Sequence, residues 1–183
     1  MTATQDITTT QDIAAAFQIR PIAPDVLAEL RVRDDAGRPP RLLTDEQGGA
    51  PLRCCLRRIQ PGERVALVSY APLRRWARAT GADPGPYEET GPVFIHPQPC
   101  QGPDPAAAGP AGYPDELAGG SRVLRAYRAD GTILGGRLFG VTGPAGTAAA
   151  EAALAEVFAD TDVAFVHVRA VEFGCFTFEA RRR

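Results

Sequence analysis

Apolar residues recur along the chain at two spacings, alternation over short runs and three-to-four over longer ones. Alternation predicts strands over Phe17–Arg20, Arg64–Tyr70, Val93–His96, Val123–Arg128, Thr132–Phe139, Val163–Arg169 and Gly174–Ala180. Helical spacing predicts a helix opening at Pro24-Asp25 and running to Val32, with Val26, Leu27 and Leu30 on one face. A short helix over Leu73–Ala79 carries Trp76, and an alanine-rich helix over Thr147–Phe158 turns Leu154, Val157 and Phe158 inward. Pro61-Gly62 and Asp130-Gly131 mark turns, the second joining two strands into a hairpin. Stretches 34–51, 81–92 and 102–120 are rich in Gly, Pro and charge and read as loops, the last as a long surface loop. The predicted fold is α+β: a mainly antiparallel sheet built from hairpins, two or three helices and long Gly/Pro-rich loops. Residues 17–183 form one domain in this reading, and 1–16, polar and Thr-rich with a Thr-Gln-Asp-Ile echo at 4 and 10, a flexible segment.

Composition narrows the chemistry. The chain has 183 residues, 44% hydrophobic and 23% charged, which supports an ordinary hydrophobic core. A net charge of −2 argues against nucleic acid or a membrane surface as partner. All 20 basic residues are arginine. The lack of lysine excludes Schiff-base chemistry and the P-loop, so any anion site must be built from arginine or backbone. The first residues lack the basic start and apolar run of a signal peptide, and no stretch has the apolar length of a membrane span. A cytoplasmic location is expected, with the four cysteines as thiols or metal ligands.

The thiols and imidazoles are few and grouped: Cys54-Cys55, His96-x3-Cys100 and His167-x7-Cys175. Cys55 stands among Arg53, Arg57 and Arg58, surroundings that lower a thiol pKa, and His96 is a candidate base for it. Glu88 and Glu89, held between Pro86 and Pro92 just before the His96 strand, offer a carboxylate for proton transfer. Zinc is the lesser alternative. His96 and Cys100 have compatible spacing, but neighbouring residues on a strand point to opposite faces, so Cys54 and Cys55 should not both face one ion. No metal and no organic cofactor are therefore assigned. In the last hairpin, alternation places Phe165, His167 and Arg169 on one face, joined by Cys175, Thr177 and Glu179 where the loop length is odd. The opposite face, with Ala164, Val166, Val168, Phe176 and Phe178, reads as core.

Several motifs together resemble the bacterial domain-of-unknown-function 1203 family, over the chain from Phe17 onward. They are Arg53-Cys54-Cys55-Leu56-Arg57, Pro61-Gly62-Glu63, the run from Pro86 to His96, Pro99-Cys100, Arg125-Ala126-Tyr127, and Val166-His167-Val168-Arg169 with Gly174-Cys175. Leu52 stands where members of the family often carry a further cysteine, which makes Cys55 the retained thiol and Cys54 a local feature. The resemblance implies no reaction, but it supports Glu89, His96, Cys100, His167, Arg169 and Cys175 as one constellation.

The residues point first to a small cofactor-independent enzyme, a lyase, cyclase or isomerase of specialised metabolism, acting on a small anionic metabolite. Cys55, His96, Glu89 and Cys100 are its expected catalytic groups, and Arg53, Arg57, Tyr87, His167, Arg169 and Cys175 its expected substrate contacts. The alternative is a non-enzymatic module that binds zinc, or one that binds a protein partner through the 102–120 loop.

Overall fold

The computed structural model describes residues 16–141 and 146–183. The segment expected to be flexible, 1–16, lies outside these except for Ala16. The described elements are β1 (Phe17–Arg20), α1 (Pro24–Leu30), β2 (Arg41–Asp45), β3 (Glu63–Tyr70), α2 (Pro72–Thr80), β4 (Gly91–Ile95), β5 (Gly120–Tyr127), β6 (Ile133–Val141), α3 (Gly146–Phe158), β7 (Phe165–Ala170) and β8 (Phe176–Arg182). They form an α+β fold with two antiparallel sheets, one of five strands in the order β1-β8-β7-β5-β6 and one of three, β2-β3-β4. No described helix is long and apolar enough to cross a membrane.

Local chemistry sets the helix ends. Proline occupies the first helical positions of α1 and α2, where its missing N–H costs nothing. Gly81 ends α2 at φ 74°, its N–H donating to the Ala77 carbonyl at 2.8 Å. In α3, Ala150, Ala153, Leu154 and Phe158 recur at helical spacing and bury against Leu124, Val166, Val168 and Phe178 of the large sheet. A second core joins α1, the small sheet and Phe176, and a third, smaller one seats Leu73 and Trp76 of α2 on Tyr127 and Phe165.

Three local expectations fail. Stretch 34–51 contains a strand, β2, whose side chains are mostly exposed, so it shows little apolar alternation. Stretch 102–120 is a surface loop only over its first half, where 103–107 are exposed. Ala111, Tyr113 and Leu117 are buried, and the α3 carboxylate Glu151 accepts the N–H groups of Ala111 and Tyr113 at 2.9 and 3.1 Å. In the final hairpin His167 pairs with Glu179 and Val168 with Phe178, but Arg169 pairs with Phe176. The extra residue, Thr177, is a bulge that sends Phe176 to the opposite face from Phe178 and into the second core.

Candidate metal centre

The Cys54-Cys55 segment is a turn and not a strand. Pro51 bridges Arg58, the Leu52 N–H donates to the Arg57 carbonyl at 2.8 Å, and the Leu56 N–H to the Leu52 carbonyl at 2.9 Å. Leu56 is the one non-glycine residue among those described with positive φ, 60°. Its buried side chain anchors this left-handed step in the large core. A turn removes the strand's alternation, so both cysteine sulfurs face the same point. The turn is fastened to β4, where Leu52 bridges Phe94 and the Arg53 N–H donates to the Phe94 carbonyl at 2.9 Å. Two residues beyond Phe94 stands His96, and Pro97 then turns the chain back toward Cys100.

One ligand atom from each of Cys54, Cys55, His96 and Cys100 lies within 4.8 Å of all the others. The Cys54 and Cys55 sulfurs are 3.2 and 3.9 Å from His96 Nδ1. A tetrahedral zinc with bonds of about 2.3 Å to sulfur and about 2.0 Å to nitrogen sets such pairs about 3.5 Å apart. The two cysteines of the turn are buried, and Cys100 is exposed.

The far side of the imidazole is also specified. His96 Nε2 is 3.0 Å from Glu63 Oε1 and 2.9 Å from an Arg57 terminal nitrogen. With a metal on Nδ1 the hydrogen is on Nε2, and Glu63 is the acceptor within reach. A carboxylate behind a histidine in this way fixes the tautomer and ring orientation of a metal ligand. Glu63 is itself held by the Arg57 fork and by the Gln60 N–H at 2.9 Å. Arg57 keeps the Glu63 carboxyl down at about 2 against the opposing effect of burial. The neighbouring Cys55 thiol, together with burial, pushes Cys54 up, and Cys54 in turn pushes Cys55 down.

Cys55, Arg57, His96 and Cys100 line one wall of a 490 Å³ cavity, with Asp104 and Glu116 across it. Arg57 is neutralised by Glu63, and the Glu116 carboxylate accepts the Arg58 N–H at 2.6 Å, so this cavity offers no unpaired positive charge from Arg57 to an anion.

The other expected site residues go elsewhere. Glu89 is ion-paired with Arg125 and with Arg169, at 2.6 Å in the second pair, away from His96. Tyr87 is exposed. His167 is buried between the rings of Tyr127, Phe165 and Phe176, with centroids 4.7, 5.3 and 5.2 Å away, and neither ring nitrogen has a hydrogen-bond partner. Burial, with Arg169, Arg125 and Arg181 nearby, holds it down at about 3, a neutral core residue. Arg53 turns away from the cysteines, its Nε donating to the Phe176 carbonyl at 2.9 Å, and lines a second cavity with Cys175. The expected constellation thus divides: Cys55, His96, Cys100 and Arg57 meet, and Glu89, His167, Arg169 and Cys175 do not join them. Cys54 and Glu63 were missed. Glu63 is visible only as the residue after a turn; the strand reading admits one cysteine of the pair, and the family resemblance selects Cys55 over Cys54.

A family model described as "Protein of unknown function (DUF1203)" matches residues 49–182, a span that holds all four sulfur and imidazole ligands and Glu63. No curated protein and no solved structure matches the chain.

Proposed function

We propose that this chain, which belongs to the DUF1203 family of proteins of unknown function, binds one zinc ion through Cys54, Cys55, His96 and Cys100. The observation that carries this is the orientation of His96, with Nδ1 toward the sulfurs and Nε2 on the Glu63 carboxylate. Three sulfurs and one imidazole form a soft set of four that suits zinc, and four protein ligands close the coordination shell as structural zinc sites do. The ion ties the 51–58 turn, the end of β4 and the entry to the 102–120 stretch together. It supplies a counter-charge for the three thiolates, two of them buried, and adds its binding free energy to folding.

Purified protein should carry one equivalent of zinc by elemental analysis. Cobalt added to the reduced apoprotein should give thiolate charge-transfer and tetrahedral d–d absorption. Cys54→Ser should weaken the charge-transfer band by the loss of one sulfur, and His96→Ala should shift the d–d bands by the loss of the nitrogen. A protein free of zinc, whose reduced form takes up neither zinc nor cobalt, contradicts the proposal.

A second reading, an enzyme acting on a small anionic metabolite with Cys55 as nucleophile and His96 as base, is favoured by one observation: both residues line the 490 Å³ cavity with Nδ1 3.9 Å from the Cys55 sulfur. The two chemistries compete for the same lone pair, because Nδ1 cannot bind zinc and accept a proton together. Rapid alkylation of Cys55 by iodoacetamide in metal-free protein, unslowed by added zinc, decides for the enzyme.

A further inference from the structure

The second cavity, 940 Å³ in volume, is lined from both sheets and from the 51–58 turn. Three arginines line it, Arg53, Arg58 and Arg122, and two of them are buried. Arg53 is 4% exposed and Arg122 8% exposed. Neither has a carboxylate within ion-pair distance among the described residues, whereas Arg57, Arg75, Arg125, Arg137, Arg169 and Arg181 all do. Their hydrogen bonds go to backbone carbonyls: Arg53 to Phe176 and Pro51, Arg122 to Ser121 and Leu117. Arg122 Nε is buried without an acceptor, and so is the hydroxyl of Thr177, the bulge residue on the same cavity wall. Two buried positive charges without a counter-ion are costly, and an anion removes that cost.

The remainder of the wall is apolar, with Leu67, Phe94 and Phe173 prominent, and Phe173 is 83% exposed at the rim. One acidic residue, Glu172, also lies on the lip and is exposed. Cavities of roughly 300–1,000 Å³ with an apolar lining and a few convergent polar groups are the usual form of small-molecule sites.

We propose that this cavity binds a small organic acid, with one carboxylate held by Arg53 and Arg122 and an apolar body against Leu67, Phe94 and Phe173. The guanidinium pair excludes cations, and a planar carboxylate matches a guanidinium fork. Glu172 at the lip disfavours a second negative charge at the far end of the ligand. Arg53 shares its turn with Cys54 and Cys55, but Arg122 lies on β5 away from the metal centre, so the site is tested through Arg122.

The test is calorimetric titration of the full chain with 4-phenylbutyrate, beside the uncharged 4-phenylbutan-1-ol of the same shape. The acid should bind and the alcohol should bind roughly 10–100-fold more weakly, the range for losing a hydrogen-bonded charge. Arg122→Met should reduce acid affinity by a similar factor and leave metal content at the wild-type level. Ala170→Trp, which fills the cavity from β7, should abolish binding and serves where Arg122→Met does not fold. Equal affinity for acid and alcohol, no saturable binding of the acid, or wild-type affinity in folded Arg122→Met or Ala170→Trp overturns the proposal.

Discussion

His167 makes stability depend on pH in a way that one substitution should remove. It is 1% exposed and ringed by three aromatic side chains. The charged groups facing it are Arg125 on β5, Arg169 on its own strand, and Glu179 and Arg181 on β8. Its Nε2 is 3.8 Å from Glu179, whose carboxylate is engaged by Arg181. Its folded pKa is about 3 against an ordinary 6.5. A depressed folded pKa means that the unfolded chain takes up a proton the folded chain refuses. The contribution is therefore complete above 6.5 and is lost as pH falls toward 3. At about pH 5 the unfolded imidazole is almost wholly protonated and the folded one almost wholly neutral. The unfolded state then gains about RT ln 30, or about 2 kcal/mol, which at about pH 8 is absent. His167→Phe keeps a flat ring in the aromatic cluster, removes two unpartnered nitrogens and has no proton to exchange. Urea unfolding of both proteins at about pH 8 and about pH 5 gives a double difference in which other titrating groups, metal ligands included, cancel. The variant should be at least as stable as wild type at the higher pH and about 2 kcal/mol ahead of it at the lower. Equal losses in the two proteins, or an NMR titration of folded His167 near 6.5, refute the reasoning.

Three further outcomes follow from contacts. Glu151→Ala should cost about 1–3 kcal/mol in urea unfolding, because it leaves the Ala111 and Tyr113 N–H groups buried without acceptors, and hydrogen exchange at those amides should accelerate. Gly48→Ala should destabilise well beyond Gly49→Ala. Both glycines have positive φ, at 72° and 90°, a conformation that costs a Cβ-bearing residue about 1–2 kcal/mol. Only at Gly48 does the new Cβ fall 2.7 Å from a backbone oxygen, that of Ile59, so equal thermal shifts for the two variants contradict this. Asp34→Ala should destabilise by about 2 kcal/mol or more in the same unfolding assay, since its carboxylate accepts the N–H groups of Ala36, Arg38 and Ser69. Burial raises the Asp34 pKa, but these donors outweigh it and leave it lowered. Its contribution is present above 3.8 and fades as pH falls below that value.

The strands with clean alternation, the Asp130-Gly131 hairpin, the proline-led helices and the inward face of α3 were legible because each is fixed by neighbours within a few residues. The errors share a cause. Whether Cys54 and Cys55 face one point depends on the turn over 53–55, which is held by bonds to β4 far away in sequence. Whether Phe176 and Phe178 share a face depends on the Thr177 bulge, which is set by pairing with β7. Glu63 acquires its role only when the β3–β4 pairing brings it beside His96. Conversely, His167 and Glu89 looked chemical because of their residue types, and tertiary packing made one a core ring and the other an ion-pair partner. Residue type located the metal-ligand candidates, and long-range packing selected among them.

X-ray absorption at the zinc edge, on protein purified without added metal, asks the central question most directly. A shell of three sulfurs at about 2.3 Å and one imidazole nitrogen at about 2.0 Å is predicted, with one sulfur lost in Cys100→Ser and the imidazole lost in His96→Ala. A shell of oxygen and nitrogen alone, or protein carrying no zinc edge at all, contradicts it.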